Sequence, residues 1–228
     1  MLQLVNAGHK SLADYATIAT RGLMDEIKRL AEPLAGKRVV HLSATAFGGG
    51  VAEINYTLIP LMQDAGLETE WRIIKGAEEF WNVTKTIHNA LQGNPQGLTE
   101  EQRKIFRRYQ ELNAREFEDD YDFVIVHDPQ PAGMIDYFEN SRAHWIWRGH
   151  IDFSTPNKEV FDFLLPSSVS TTQRSSTCAS TCQRRKVCLP VTSGRRRSIR
   201  WRRRTWRSHR RTRRTSSTSS ESMSSGRC

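Results

Sequence analysis

Three consecutive glycines, Gly48, Gly49 and Gly50, stand directly before a stretch with helical spacing of apolar residues, whose first turn carries Glu53. Without side chains, the backbone N–H groups of such a loop can approach an anion at the start of the helix, where the helix dipole favours negative charge. The glycines indicate either a phosphate-binding loop or simply a tight turn. Neither the lysine of a P-loop nor the spaced glycines of a dinucleotide fingerprint accompanies them.

A second polar group, His127-Asp128-Pro129-Gln130-Pro131, follows a short apolar run. The two prolines stiffen the segment, while His127, Asp128 and Gln130 provide donors and acceptors for hydroxyl groups. The competing interpretation is a capped turn in which Asp128 accepts hydrogen bonds from backbone amides.

A third polar group, Arg148-Gly149-His150-Ile151-Asp152, follows another apolar run. A cation, an imidazole and a carboxylate within five residues suit recognition of a polar ligand or proton transfer. A single histidine is more often structural, so this group gains weight only if it lies beside the other two.

The three groups would meet only if the segments before them are parallel strands of one sheet. Apolar runs predict strands at residues 38–43, 70–74, 123–127 and 144–148. Helical spacing predicts helices at residues 12–34, 51–65, 78–91, 100–118 and 131–138. This alternation predicts an α/β domain with a doubly wound, Rossmann-like parallel sheet, whose ligands bind at the carboxyl ends of the strands.

The chain of 228 residues changes character after Pro166. Residues 1–166 hold 17 Lys and Arg against 24 Asp and Glu, whereas residues 167–228 hold 17 against a single Glu221. All four cysteines and 25 serines and threonines lie in those last 62 residues, which contain no Phe, Tyr, Asp or Asn. We therefore expect a helical extension over 1–34, a Rossmann-like domain over 35–166 and a disordered basic tail over 167–228.

Targeting and metal signals are weak. No run approaches the roughly 18 apolar residues of a membrane span, and the start of the chain lacks the apolar core of a secretory signal. We therefore expect a cytoplasmic protein with no membrane partner. The spacing of Cys178, Cys182 and Cys188 is not that of a zinc site, so we expect no metal.

Four ordered segments resemble the N-terminal half of retaining glycosyltransferases with two facing Rossmann-like domains. More narrowly, they resemble the trehalose synthase family, which transfers glucose from a nucleotide sugar. The segments are FGGGVAE at 47–53, KTIHNALQG at 85–93, HDPQP at 127–131 and WIWRGHID at 145–152. The resemblance covers residues 35–166, and the chain departs from it at Gly149, where relatives often carry cysteine.

The resemblance implies that His150 and Asp152 are the catalytic residues and face the reacting sugars. The substrate-binding residues that it implies are Gly48, Gly49, Gly50, Glu53, His127, Asp128, Gln130 and Arg148. Nucleotide-glucose is a co-substrate, so no cofactor is expected. In such enzymes a C-terminal domain holds most of the donor, and no part of this chain resembles that domain.

Residues 167–228 have two interpretations. A genuine tail with a net charge of +16 would bind nucleic acid non-specifically by neutralising phosphates. Alternatively, the segment is the product of a shifted reading frame. Under suitable codons, residues 170–178, 198–206 and 215–224 then read as globular α/β sequence similar to how the family continues. We favour the shifted frame, because it explains the Arg, Ser and Thr excess together with the change after Pro166.

We therefore expect a hexosyltransferase that makes trehalose from nucleotide-glucose and glucose, with this chain lacking the donor-binding domain and inactive as it stands. The expected partners are sugar and nucleotide-sugar substrates, and a homodimer is left open. Two alternatives remain: a nucleic-acid-binding protein acting through the basic tail, and a module that only binds sugars or assembles with other chains.

Overall fold

A mixed sheet forms the centre of the computed structural model, which describes residues 1–165 and 174–175. Its strands are β1 Gln3–Leu4, β2 Arg38–Ser43, β3 Glu68–Ile73, β4 Phe123–His127, β5 His144–Arg148 and β6 Arg174–Ser175. They lie in the order β1-β3-β2-β4-β5-β6, and all neighbours are parallel except β1 with β3. Strands β2 and β4 therefore lie side by side, although β3 and three helices separate them along the chain.

Helices connect these strands. Within the described residues the α-helices are α1 Arg21–Ala31, α2 Gly50–Asp64, α3 Glu78–Leu91, α4 Glu100–Arg115 and α5 Lys158–Leu164. Short 3-10 helices form at Leu12–Tyr15, Glu32–Leu34 and Ala132–Tyr137. Each helix in this part of the chain is too short or too polar to span a bilayer.

Side-chain alternation along the strands decides what each face of the sheet buries. Val40 and Leu42 of β2 belong to the same core cluster as Val124 of β4 and the apolar residues of α3 and α4. Val39 of β2 instead packs with Ile125 of β4 and with apolar residues of α1 and α2. Because successive side chains of a strand point to opposite faces, both faces of the sheet are covered by helices.

The predicted α/β class with a Rossmann-like arrangement is confirmed. The sheet is not wholly parallel, however, because the short strand β1 pairs antiparallel with β3 at its edge. That strand lies within the segment predicted to be a helical extension. The structure also contains α5, which the spacing of apolar residues did not predict. The predicted disordered tail lies outside the described residues, apart from β6.

The prediction of a single helix over residues 12–34 is wrong. Ser11 caps the 3-10 helix Leu12–Tyr15 and forms a capping box with Asp14. A second N-cap, Thr20, accepts a hydrogen bond from the N–H of Leu23 at 3.3 Å and begins α1. Both N-cap residues have extended backbone, so the chain leaves the helical conformation between the two helices.

Candidate functional site

A cavity of about 410 Å³ opens where β2, β4 and β5 end. The loops that leave these three strands provide most of its wall. Seven of the ten predicted site residues line it: Gly48, Gly49, Gly50, His127, Asp128, Gln130 and His150. The three polar groups of the sequence therefore meet at one edge of the sheet, because neighbouring parallel strands end on the same side.

The glycine loop allows a close approach to its backbone. Gly48 and Gly49 adopt φ angles of 70° and 82°, which glycine adopts without steric cost. Gly49 is the N-cap of α2 and has no side chain to satisfy the amides of the first helical turn. These amides begin at Gly50, in the cavity wall. An uncapped helix N-terminus attracts negative charge, so this loop suits a phosphate or a developing oxyanion.

Three histidines form a continuous hydrogen-bonded row, called here the histidine row, from the interior of β2 to the cavity. His41 Nδ1 lies 2.9 Å from His127 Nε2, and His127 Nδ1 lies 2.8 Å from His150 Nε2. Successive ring centroids are 5.1 Å apart and the ring planes are inclined by 24° and 18°, so the rings meet edge to edge and lie nearly coplanar. The side chains of His41 and His127 are buried, at 0% and 1% exposure, and His150 is only partly buried.

Burial keeps the histidine row neutral. It lowers the pKa of His41 to about 3, and the positive charge of Arg148 lowers that pKa further. Burial also lowers the pKa of His127 to about 2, with smaller effects from the other two histidines and Arg148. The pKa of His150 is lowered chiefly by burial, while the Asp128 carboxylate acts in the opposite direction. Near pH 7 each ring therefore carries one N–H and one lone pair.

Asp128 ties the loop after β4 to the loop after β5. Its Oδ1 accepts a hydrogen bond from the backbone N–H of His150 at 2.7 Å, and its own N–H donates to the Arg148 carbonyl at 2.9 Å. Trp147 Nε1 donates a hydrogen bond to the carbonyl oxygen of Asp128 at 2.9 Å. The φ angle of Asp128, 62°, is the one positive value at a non-glycine residue in the described part of the chain. Asp128 therefore closes a turn, as the competing interpretation expected, and it also lines the cavity. Backbone strain of this kind, a positive φ at a non-glycine residue, is often found at functional sites.

Three predicted site residues lie outside the cavity wall. Glu53 is exposed on α2. Asp152 Oδ1 accepts hydrogen bonds from the Oγ and N–H of Ser154 at 2.5 and 2.9 Å, and these bonds lower the pKa of Asp152. Arg148 ends β5 opposite His127 in the strand register, and its charge acts on the histidine row. The catalytic role of Asp152 and the binding roles of Glu53 and Arg148 stay predictions.

Two further histidines belong to the site although the sequence reasoning missed them. His88, near the end of α3, lines the cavity. His41 lies beneath the cavity as the inner member of the histidine row. A histidine inside an apolar strand is the signal that could have identified His41, since a buried imidazole needs a hydrogen-bond partner. Among the described residues, no group of three or more His, Cys, Asp or Glu side chains could hold a metal ion.

The sequence of this chain is similar to those of known proteins. Residues 41–181 match the family described as trehalose synthase, N-terminal domain. The chain is 54% identical over 171 residues to a trehalose synthase of Rubrobacter xylanophilus, covering 73% of this chain and 41% of that protein. It is 48% identical over 157 residues to a trehalose synthase of Thermococcus litoralis, covering 68% of this chain and 38% of that protein. The chain thus spans about two fifths of the length of these relatives.

Proposed function

The chain belongs to the trehalose synthase family, whose N-terminal domain it matches, and we propose that it forms the acceptor side of a glycosyltransferase. The proposed reaction transfers glucose from nucleotide-glucose to a second glucose with retention of anomeric configuration. Trehalose and a nucleoside diphosphate are the products.

The observation that carries this proposal is one cavity that combines an anion-binding loop with groups that recognise hydroxyls. The uncapped amides at the start of α2 offer a position for the diphosphate. Asp128, Gln130 and His150 offer donors and acceptors for sugar hydroxyls in the same wall. A volume of about 410 Å³ suits a small-molecule ligand. The transferred glucosyl group would lie between the two regions.

A single carboxylate in the described cavity wall favours transfer over hydrolysis. Asp128 is the one carboxylate among the described residues that line the cavity. Most glycoside hydrolases place two carboxyl groups on either side of the scissile bond. In a transferase the diphosphate leaves with growing negative charge, which amides at a helix N-terminus stabilise. The wall therefore suits departure of a diphosphate better than attack by an activated water.

We propose in addition that residues 167–228 are not a donor-binding domain. A segment without Phe, Tyr, Asp or Asn lacks the residues from which a Rossmann-like core and its turns are built. Residues 167–228 would then not supply the ordered basic groups that stabilise a departing diphosphate from the opposite side. We expect little trehalose formation by this chain alone, and turnover comparable to that of a full-length relative would contradict this part of the proposal.

Calorimetric titration of the full chain with glucose tests the proposed acceptor site. Wild-type protein should bind glucose, and Asp128→Asn should weaken binding about tenfold, which corresponds to about 1.4 kcal/mol. Asparagine keeps the oxygen that accepts from the His150 N–H, so the loop should retain its structure. Asp120→Asn is the matched control, because Asp120 is exposed and pairs with Arg38 at the other end of β2. Absence of glucose binding to the wild type, or equal weakening in both variants, would contradict the site.

A second candidate function is favoured by the net charge of +16 in residues 167–228. Such a segment would bind nucleic acid through phosphates, with an affinity that falls steeply as salt rises. A mobility-shift assay at low and high salt should detect this binding, and truncation after Pro166 should abolish it. Sequencing the gene around the codons for residues 165–168 provides the complementary test, because an extra or missing base there would remove this candidate.

A further inference from the structure

We infer that the histidine row has one fixed polarity, in which His41 is a positioning residue that holds the proton of His150 on Nδ1. Nδ1 is the His150 nitrogen that does not contact His127. His150 would then donate a hydrogen bond to an oxygen atom of the bound ligand, either a sugar hydroxyl or a phosphate oxygen. The role toward a ligand rests on the proposed function, whereas the position of the proton does not.

Counting protons leaves the row only two arrangements. Each neutral ring carries one proton, and each of the two N···N contacts, at 2.9 and 2.8 Å, needs one N–H and one lone pair. If His127 uses its proton toward His150, then His41 must donate from Nδ1 and His150 must carry its proton on Nδ1. If His127 uses its proton toward His41, then all three rings carry the proton on Nε2. The tautomer of His150 is thus coupled to that of His41.

The buried end of the row distinguishes the two arrangements. His41 Nε2 is buried and has no hydrogen-bond partner among the described residues. Buried N–H groups without an acceptor are rarer in proteins than acceptors that keep an unused lone pair. His41 Nε2 is therefore the unprotonated nitrogen with the lone pair, and the proton of His41 lies on Nδ1, toward His127. The first arrangement follows, with an Nδ1–H on every ring.

The charge at the outer end does not distinguish the two arrangements, because His150 carries one proton in both. The Asp128 carboxylate lies against the loop of His150, since its Oδ1 accepts from the His150 N–H at 2.7 Å. Its negative charge raises the pKa of His150, opposing the effect of burial, and so acts on the uptake of a second proton by this ring. Arg148 lowers the pKa of all three histidines and so does not discriminate between the ends.

Long-range ¹H–¹⁵N correlation NMR of the full chain with ¹⁵N-labelled histidine measures the polarity directly. The chemical shifts of Nδ1 and Nε2 depend on which nitrogen carries the proton. At pH 8 we expect Nδ1–H signals for His41, His127 and His150, with the exposed His9 and His144 as solvent-averaged references. Nε2–H signals on all three rings would overturn the inference. A mixture at His150 like that of His9 would overturn it as well.

An isosteric pair of variants tests whether His41 controls the distant ring. In His41→Asn the side-chain amide can donate to His127 in place of the imidazole, so His150 should keep its proton on Nδ1. In His41→Asp the ionised carboxylate can only accept, so His127 must reverse and the His150 proton should move to Nε2. A role for His41 in packing alone predicts that the His150 proton stays on Nδ1 in His41→Asp, and that result would overturn the inference.

The measurement remains decisive if a variant does not fold. The wild-type spectrum alone separates the two polarities. Because no ligand is present in these spectra, their outcome is independent of glucose binding. Failure of the calorimetric test with intact Nδ1–H signals would therefore remove the proposed function and leave the polarity of the row in place.

Discussion

Acid should destabilise this fold through protonation of His41, and the substitution His41→Asn should remove that part of the destabilisation. Burial lowers the pKa of His41 from 6.5 to about 3. Since the folded-state pKa lies below that of the unfolded chain, the unfolded chain takes up the proton first as pH falls. The contribution of His41 to stability is therefore complete above about pH 6.5 and is lost progressively toward about pH 3. Each pH unit within this window costs about 1.4 kcal/mol, so the loss from pH 7 to pH 5 is about 2 kcal/mol.

Urea unfolding followed by far-UV circular dichroism at pH 7 and pH 5 checks this value. The free energy of unfolding of the wild type should fall about 2 kcal/mol further than that of His41→Asn, which cannot titrate at this position. Contributions from carboxylates and from His127 occur in both proteins and cancel in the comparison. His144→Asn, at an exposed histidine of β5, should behave as the wild type does. Parallel losses in wild type and His41→Asn would show that His41 is not held neutral by burial, and the reasoning would fail.

Three further substitutions test the local structure. Gly49→Ala should lower the free energy of unfolding in urea by about 1 kcal/mol, because φ is 82° there, whereas Gly50→Ala should cost little; equal losses would contradict the backbone argument. Gly149→Ala would place a Cβ in steric conflict with the Phe153 ring, so the thermal midpoint should drop and the added change Phe153→Leu should restore part of it. An unchanged midpoint would show that the ring moves freely. Thr99→Ala removes the capping box of α4 and should lower the free energy of unfolding in urea by about 1 kcal/mol. An unchanged free energy of unfolding would show that this cap contributes little to stability.

Much of the fold can be predicted from the chain because its central elements have strong local signals. The strands Phe123–His127 and His144–Arg148 and the helix Glu78–Leu91 have the predicted bounds. A strand covered on both faces must be largely apolar, and an amphipathic helix must repeat its apolar residues. The strand Gln3–Leu4 is too short for any periodicity, and its place depends on a distant partner, β3.

The site divides in the same way. The residue types at the strand ends, together with the rule that neighbouring parallel strands end on one side, bring the glycine loop, His127 and His150 to one cavity. Sequence alone cannot show that His41 continues this row inward, or that Asp152 turns toward Ser154. A hydrogen bond near 3 Å depends on strand register and side-chain rotamer, and these are decided by packing between residues remote in the chain. Residue type and spacing therefore determine which groups reach this edge of the sheet, and only the tertiary structure decides which of them touch.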